Sequence, residues 1–505
     1  MKKNFSFITI IITVATFVWY KILNQALLEE GYFYLDINHR FFYEKVSRIY
    51  IWNIDNFARV FFDFAPLIFQ DNIKAYMIAK FILLVLVYIT LFLVLSKICK
   101  NKVLSITATI LFIANYIGSS EMLSPLSYQR FLQRVPNVIP ALIAFYYLHK
   151  FLHSGKIKNY FFSLILFSLA IFMGHYASFL LPLFIIYPFV IMISKKLRFK
   201  NLVKTTITCS VFVLITFLVI NKSPMQTSST PWKFFSSYGW LGKIVYQIPT
   251  VNIPGEVIRL LAEHGPKPDP YPYTKTLGFL VIPMVIVYIT GAIIVYKKRR
   301  VYYPLYLTSL LSTISIMALY VYFNSEIINV YRNFGQNRAY FLPTLTNSIV
   351  WAIIINSILS KKTIKLFPYL LGILVIYNTY DIYKYLDTFN NKNQAMFQFL
   401  AYIKPLSSQF NQNTVIVSPR EFHPTKTFIE RIYKKPGIEF LNLDNSWQKE
   451  ICKLPNFSIN NFYVLSYDKG KLVYEGSKLQ QRGAIIDLTQ DYKNKLLPCP
   501  NRQGP

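Results

Sequence analysis

Long apolar runs separated by short polar turns dominate the chain up to about position 385. A bilayer core about 30 Å thick takes about 20 mostly apolar residues as a helix. On that measure eleven spans are expected, at 5–23, 76–96, 103–118, 136–153, 159–174, 176–194, 204–221, 277–296, 302–323, 339–359 and 364–385. The runs are continuous and rich in Leu, Ile and Phe, whereas barrel strands alternate apolar with polar residues, so helices are selected. Some cores are short, such as Phe81–Ser96, and need flanking residues whose charged heads reach the interface. Lys80 is expected to do this.

After about residue 387 the pattern changes. Asn393–Lys404 reads as a helix, Thr414–Ser418 as a short buried strand and Thr425–Lys434 as a further helix. Phe462–Tyr467 and Lys471–Glu475 read as a hairpin turning around Asp468–Gly470. The expected fold is therefore an all-α polytopic membrane protein of about eleven transmembrane helices over residues 1–386, with a small C-terminal α/β domain over 387–505. Composition agrees: 54 % of residues are hydrophobic and only 15 % charged, against roughly 25 % charged in a soluble domain.

The net charge of +31 invites a nucleic-acid partner. Its distribution removes that reading. One set of turns carries Lys2 and Lys3; Lys97, Lys100 and Lys102; Lys150, Lys156 and Lys158; Lys195, Lys196, Arg198, Lys200 and Lys204; Lys297–Arg300; and Lys361, Lys362 and Lys365, with no acidic residue among them. All twelve acidic residues before position 380 (from Glu29 and Glu30 to Glu326) fall in the other set. By the positive-inside rule the N-terminus is cytoplasmic, and the acidic connections and C-terminal domain are extracytoplasmic. The expected location is the plasma (inner) membrane. Lys2-Lys3 before Phe5–Leu23 resembles a secretory signal, but the apolar run is long and no small-residue cleavage site follows, which favours a retained first span. Cys452 and Cys499 both lie in the tail; a disulfide between them and two separate buried thiols are both open.

Two of the acidic-side connections are long. Residues 24–75 mix Ile, Trp, Phe and Val with Arg59, Asp55 and Asp63, as interfacial helices do. Residues 222–276 hold eight prolines, from Pro224 to Pro272, which exclude a long regular helix. The start of the first connection carries Glu29, Glu30 and Asp36 close to the first span. A carboxylate at such an interface is a candidate general base, because partial desolvation raises its pKa toward neutrality. Arg130 and Arg134 are spaced to share a helix face. Arg332 and Arg338 precede the tenth span, and His175 follows Gly174. Cations on the outer side run against the positive-inside tendency; an anionic lipid phosphate or neighbouring Glu121 and Glu326 would balance them.

These residues resemble the GT-C superfamily of polytopic glycosyltransferases, such as protein O-mannosyltransferases, aminoarabinose transferases and TMTC-type mannosyltransferases. Glu29-Glu30-Gly31-Tyr32 is similar to the acidic motif after that superfamily's first span. The stretch Phe57–Tyr76 resembles its interfacial segment, Gly174–Pro182 a later one with His175 at the Lys or Glu position, and Asn337–Pro343 its late Arg-Tyr motif, with Ala339 between Arg338 and Tyr340. The resemblance implies sugar transfer from a polyprenyl-phosphate donor to a hydroxyl of a glycan, lipid or protein acceptor outside the cytoplasm, in cell-envelope glycan assembly or protein glycosylation. Glu30, or else Glu29 or Asp36, would be the base. Arg338, with Arg130, Arg134, Arg332 or His175, would hold the donor phosphate. A divalent cation fits such chemistry, but no ligand set for it can be read. Three rivals remain: a flippase or transporter of lipid-linked sugars, an envelope polysaccharide polymerase or ligase, and a non-catalytic scaffold.

Overall fold

In the computed structural model the described residues are 2–24, 73–114, 135–194, 199–220, 273–323, 341–359 and 367–419, followed by shorter stretches between 422 and 495. Helices occupy each segment expected to span: α1 Lys2–Asn24, α2 Ile73–Cys99, α3 Lys102–Ile113, α4 Val138–Ser154, α5 Ile157–Met173, α6 Leu181–Ser194, α7 Phe199–Ile220, α8 Tyr273–Lys298, α9 Tyr303–Phe323, α10 Phe341–Ile358 and α11 Phe367–Leu406. Among the described residues five stretches are long and apolar enough to cross a membrane: Met77–Cys99, Tyr176–Ser194, Val281–Lys298, Arg300–Leu319 and Phe341–Ile358. The sixth helix is entered through a 3₁₀ turn, His175–Leu180.

The turns stop the helices for local reasons. Asn101 caps α3, its side chain accepting from the Leu104 N–H at 3.1 Å. Gly155 ends α4 at φ 67°, in the left-handed region, and its N–H returns to the Phe151 carbonyl at 2.8 Å; a side chain there would be strained.

Exposure differs between the helices. Phe5, Ile82, Phe161, Ile165, Ile207, Phe217, Ile282, Ile286, Leu370 and Ile373 leave large apolar side chains open on α1, α2, α5, α7, α8 and α11. A water-soluble surface does not carry apolar area on this scale, and lipid covers it at no cost. Of the candidate spans α10 is the most enclosed, with 78 % of it buried, and α6 follows with 67 %. Helix α10 packs against α3, α8 and α9, and α6 packs against α9.

Lys80 departs from expectation. It is 3 % exposed, because Met77, Lys80, Leu84, Val87, Tyr88 and Leu91 follow the three-to-four spacing of one helical face, and that face is the buried one. An ammonium on it turns into the bundle instead of toward the interface.

The C-terminal part holds a four-stranded sheet in the order β2-β1-β3-β6 and a separate pair, β4-β5. The strands are β1 Val415–Ser418, β2 Glu439–Asn442, β3 Phe462–Asp468, β4 Leu472–Glu475, β5 Lys478–Gln481 and β6 Ala484–Asp487, with α12 Trp447–Ile451 and α13 Thr489–Lys495. Strand β1 is parallel to both β2 and β3, and β6 is antiparallel to β3. The expected hairpin of Phe462–Tyr467 with Lys471–Glu475 does not form. Strand β4 pairs instead with β5, Glu475 facing Lys478, so Gly476-Ser477 is the connection, a composition suited to a tight turn. The helix expected at 393–404 is continuous with the last span as one helix of 40 residues. The helix expected at 425–434 lies mostly outside the described residues, as do Cys452 and Cys499. Two apolar cores flank the sheet. Phe399, Leu400 and Ile403 of α11 pack with Ile416, Phe422, Ile429 and Leu465; Trp447 and Ile451 pack with Val415, Val417 and Val464 on the other face.

Candidate functional site

Contacts between helix ends define two poles of the bundle. At one pole Asn101, between α2 and α3, donates from Nδ2 to the Tyr302 hydroxyl, between α8 and α9, at 3.3 Å. The Lys102 ammonium lies 5.9 Å from the Phe7 ring near the start of α1. The Lys204 ammonium on α7 lies 5.3 Å from the ring of Phe151 on α4, and His149 Nδ1 meets the Tyr187 hydroxyl of α6 at 2.6 Å. The basic turns are therefore gathered together.

The opposite pole is closed by different contacts. Asn137 donates from Nδ2 to the Gly174 carbonyl at 3.4 Å, joining the start of α4 to the end of α5. Phe112 and Phe341 have ring centroids 5.2 Å apart, joining α3 to α10. Asn378 of α11 donates to the Ala114 carbonyl, and the Tyr383 hydroxyl donates to the Phe17 carbonyl at 2.8 Å. At this pole α1, α3, α7 and α9 end and α2, α4, α8 and α10 begin.

The sequence-predicted residues attach there. Glu29, Glu30 and Asp36 follow Asn24; Arg130 and Arg134 precede Val135; Arg332 and Arg338 precede Phe341. All seven lie outside the described residues, as does the Pro-rich segment 222–276 apart from its last four positions. His175 opens the 3₁₀ turn at the same pole.

Sequence reasoning missed the described polar groups of this pole. Lys80 lies seven residues into α2 from Ile73 and carries its charge on the buried face. Trp19, fully buried near the end of α1, has an indole N–H with no hydrogen-bond partner. Asn378 is 5 % exposed and its Oδ1 has no partner. Buried polar groups are normally satisfied, so Trp19 and Asn378 leave this end of the bundle one unspent donor and one unspent acceptor. A helical-wheel reading of α2 would have found Lys80; nothing in the sequence marks Trp19 or Asn378. Among the described residues no group of three or more His, Cys, Asp or Glu could hold a metal ion.

No family model matches the chain, and no curated protein matches it. Among solved structures, a crystal structure of the Archaeoglobus fulgidus oligosaccharyltransferase in complex with zinc and sulfate is similar over 91 % of this chain and 67 % of the other, at 13 % identity and a TM-score of 0.43. A likeness that slight decides nothing about fold or activity.

The tail contains one polar pair of defined geometry. The Tyr402 hydroxyl donates to Asp487 Oδ2 at 2.7 Å, and the Thr489 N–H donates to Asp487 Oδ1 at 2.8 Å. Burial raises the Asp487 carboxyl, but the hydrogen bonds from Thr489 and Tyr402 outweigh it and hold the group below its ordinary 3.8. Desolvation first, then the bond to Asp487, pushes Tyr402 up to about 12. These shifts belong to a structural clasp between α11 and β6.

Proposed function

We propose that the chain is an integral membrane glycosyltransferase that moves a sugar from a polyprenyl-phosphate donor to an acceptor hydroxyl on the side opposite the basic turns. One observation carries the reading: the connections bearing the carboxylates and the guanidinium groups all join the same pole of the helical bundle. The motif order along the sequence supports it further.

In this reading the acceptor oxygen attacks the anomeric carbon as the bond from that carbon to the phosphate oxygen breaks, and the phosphate departs with the bonding electrons. Glu30, with Glu29 or Asp36 as its alternates, takes the acceptor's proton. Arg338, Arg130, Arg134, Arg332 and His175 surround the departing phosphate, whose growing charge is stabilised most where water is scarce.

The test is release of free polyprenyl phosphate by the purified chain in lipid vesicles, over a panel of polyprenyl-phosphate sugars. Glu30→Ala should lower release by about 100-fold or more while donor binding and expression persist; Arg338→Ala should cost a similar factor. Release with no donor, or release untouched by both substitutions, would sink the proposal. A translocator of lipid-linked sugars is the second reading, favoured by Lys80, since ionisable groups within spans commonly mark transport paths. It predicts movement of an intact labelled donor across the vesicle membrane, abolished by Lys80→Met, with no phosphate released.

A further inference from the structure

The pole that gathers the basic turns is uniform in sign. Its described connections, at 99–102, 154–157 and 298–303, carry no acidic residue, and neither do the sequences 195–198 and 360–366 that join it from outside the described residues. A positive-inside bias asks for no more than that. Two of the turns go further, because they are tied together. Asn101, between α2 and α3, spends its Oδ1 on the Leu104 N–H at 3.1 Å and donates from Nδ2 to the Tyr302 hydroxyl at 3.3 Å. Tyr302 closes the 3₁₀ turn Arg300–Tyr302 between α8 and α9, and its N–H returns to the Arg299 carbonyl at 2.8 Å. Exposed cations stand on both sides of the tie: Lys97 and Lys100 before Asn101, and Lys297, Lys298, Arg299 and Arg300 before Tyr302.

Each of these turns also ends an apolar stripe. On α8 the side chains of Ile282, Ile286, Ile289, Ile293 and Tyr296 are exposed, and their three- and four-residue spacing puts them on one face. Tyr296 is the last of the stripe, and Arg300 Cζ stands 5.3 Å from the centre of its ring. Tyr303 meets the same ring edge to face at 5.2 Å. A guanidinium stacked on a ring keeps its N–H donors in its own plane, open to a phosphate. Beside it Val301 is 78 % exposed, an apolar side chain suited to the acyl boundary below lipid headgroups. On α2 the exposed Ile82, Leu86 and Leu93 share a face, and Lys97 continues that face one turn beyond Leu93. Lys100 follows at φ 52°, a left-handed conformation that turns the chain away from the helix line. Lys102 is engaged elsewhere, its ammonium 5.9 Å from the Phe7 ring.

An amphiphile with chains along such stripes and an anionic head fits this arrangement. One phosphate answers one turn; two turns held side by side answer two. We propose that the α2–α3 and α8–α9 turns together bind a phospholipid carrying two phosphates, of the cardiolipin class, in the leaflet at the basic pole. Lys97 and Lys100 take one phosphate, and Arg299 and Arg300 take the other, where the planar fork makes paired hydrogen bonds. The Asn101–Tyr302 bond fixes the spacing of the two turns, and so favours the two-phosphate lipid over lipids with one. Basic pockets between spanning helices are known binders of such headgroups. The α4–α5 turn supplies the contrast within the same pole. Lys156 and Lys158 are exposed there, but the polar groups of that turn bond within it, Asn159 Nδ2 to Ser154 Oγ at 3.1 Å and the Lys156 N–H to the same oxygen at 3.3 Å. The lipid site lies at the pole opposite the proposed transfer site and stands whether or not the bundle transfers sugar.

The test is native mass spectrometry of the full chain in detergent, titrated with cardiolipin, phosphatidylglycerol or phosphatidylcholine. Cardiolipin should bind saturably and about fivefold or more tighter than phosphatidylglycerol, with phosphatidylcholine weaker still. Arg300→Gln and Lys100→Gln should each weaken cardiolipin by about fivefold. Replacing Lys156 and Lys158 together by Gln removes as much charge from the same pole and should leave cardiolipin binding as it is. Tyr302→Phe keeps every charge but removes the tie between the turns; it should narrow the gap between cardiolipin and phosphatidylglycerol and leave phosphatidylglycerol itself unchanged. Cardiolipin should raise the unfolding temperature of the wild type, and inorganic pyrophosphate, which carries the charge without the chains, should not. Equal weakening by the Lys156 and Lys158 pair, no preference for cardiolipin, a preference untouched by Tyr302→Phe, or stabilisation by pyrophosphate alone overturns the proposal.

Discussion

At the residue scale, Pro188 sits inside α6 and removes the N–H that would bond the carbonyl four positions back, on Phe184. In lipid such an opened carbonyl has no water to turn to. The Cys209 thiol of α7 faces it, 3.9 Å from the Phe184 oxygen and 3.7 Å from that of Ile185. Cys209→Ala should therefore lower stability by about 1 kcal/mol, and Cys209→Ser should retain it, read as thermal unfolding in detergent. Asp487 gives a second residue-scale test. Its folded pKa lies below its unfolded value, so its contribution is complete above about pH 4 and is lost as pH falls through the folded value. Solvent screens the group, and the contribution should not exceed about 1 kcal/mol. Urea unfolding of the wild type should weaken on going from about pH 6 to about pH 3, and Asp487→Asn should flatten part of that slope.

At the scale of elements, α8 approaches α10 closely at Gly291. A Cβ there would stand 2.8 Å from Ile354 Cδ1 and 3.1 Å from the Tyr306 hydroxyl, which itself donates to the Tyr288 carbonyl at 2.6 Å. Gly291→Leu should cost about 1–3 kcal/mol, seen as a lower unfolding temperature. Gly291→Ala should cost less, because the end of Ile354 can turn aside. The helices were legible because each is a continuous apolar run ended by lysines, glycine or asparagine. Two readings failed for physical reasons. Residues 386–392 read as a break between two helices because they are polar, but a helix clear of lipid needs no apolar stripe on every turn to persist. The hairpin was misplaced because Asp468-Lys469-Gly470 and Gly476-Ser477 are both good turns, and only the pairing of β6 with β3 decides between them. Lys80 was misread for a related reason: hydropathy sums a window and is blind to which side of the helix a charge occupies. Of the predicted site residues, Glu29, Glu30, Asp36, Arg130, Arg134, Arg332 and Arg338 rest on sequence alone.

At the scale of the whole molecule, α11 is a single strut of 40 residues, about 60 Å long, fixed to α1 and α3 by Tyr383 and Asn378 and to the sheet by Phe399 and Tyr402. Any change in its length between those anchors rotates the sheet. Two alanines inserted after Asn391 would turn it by about 200° and raise it about 3 Å; four would turn it by only about 40° and raise it about 6 Å. If the sheet serves the proposed transfer site, the shorter insertion should reduce carrier-phosphate release more than the longer one. Equal losses would show that height, not facing, matters. The enclosed position of α10 carries a different consequence. It is the tenth of the described bundle helices in chain order and the most thoroughly surrounded of the candidate spans. During synthesis its neighbours α3, α8 and α9 must enter the bilayer first, around a place the ribosome has not yet supplied. Until then lipid or an insertion factor has to occupy that place, so assembly of this protein is gated by one late arrival at its centre.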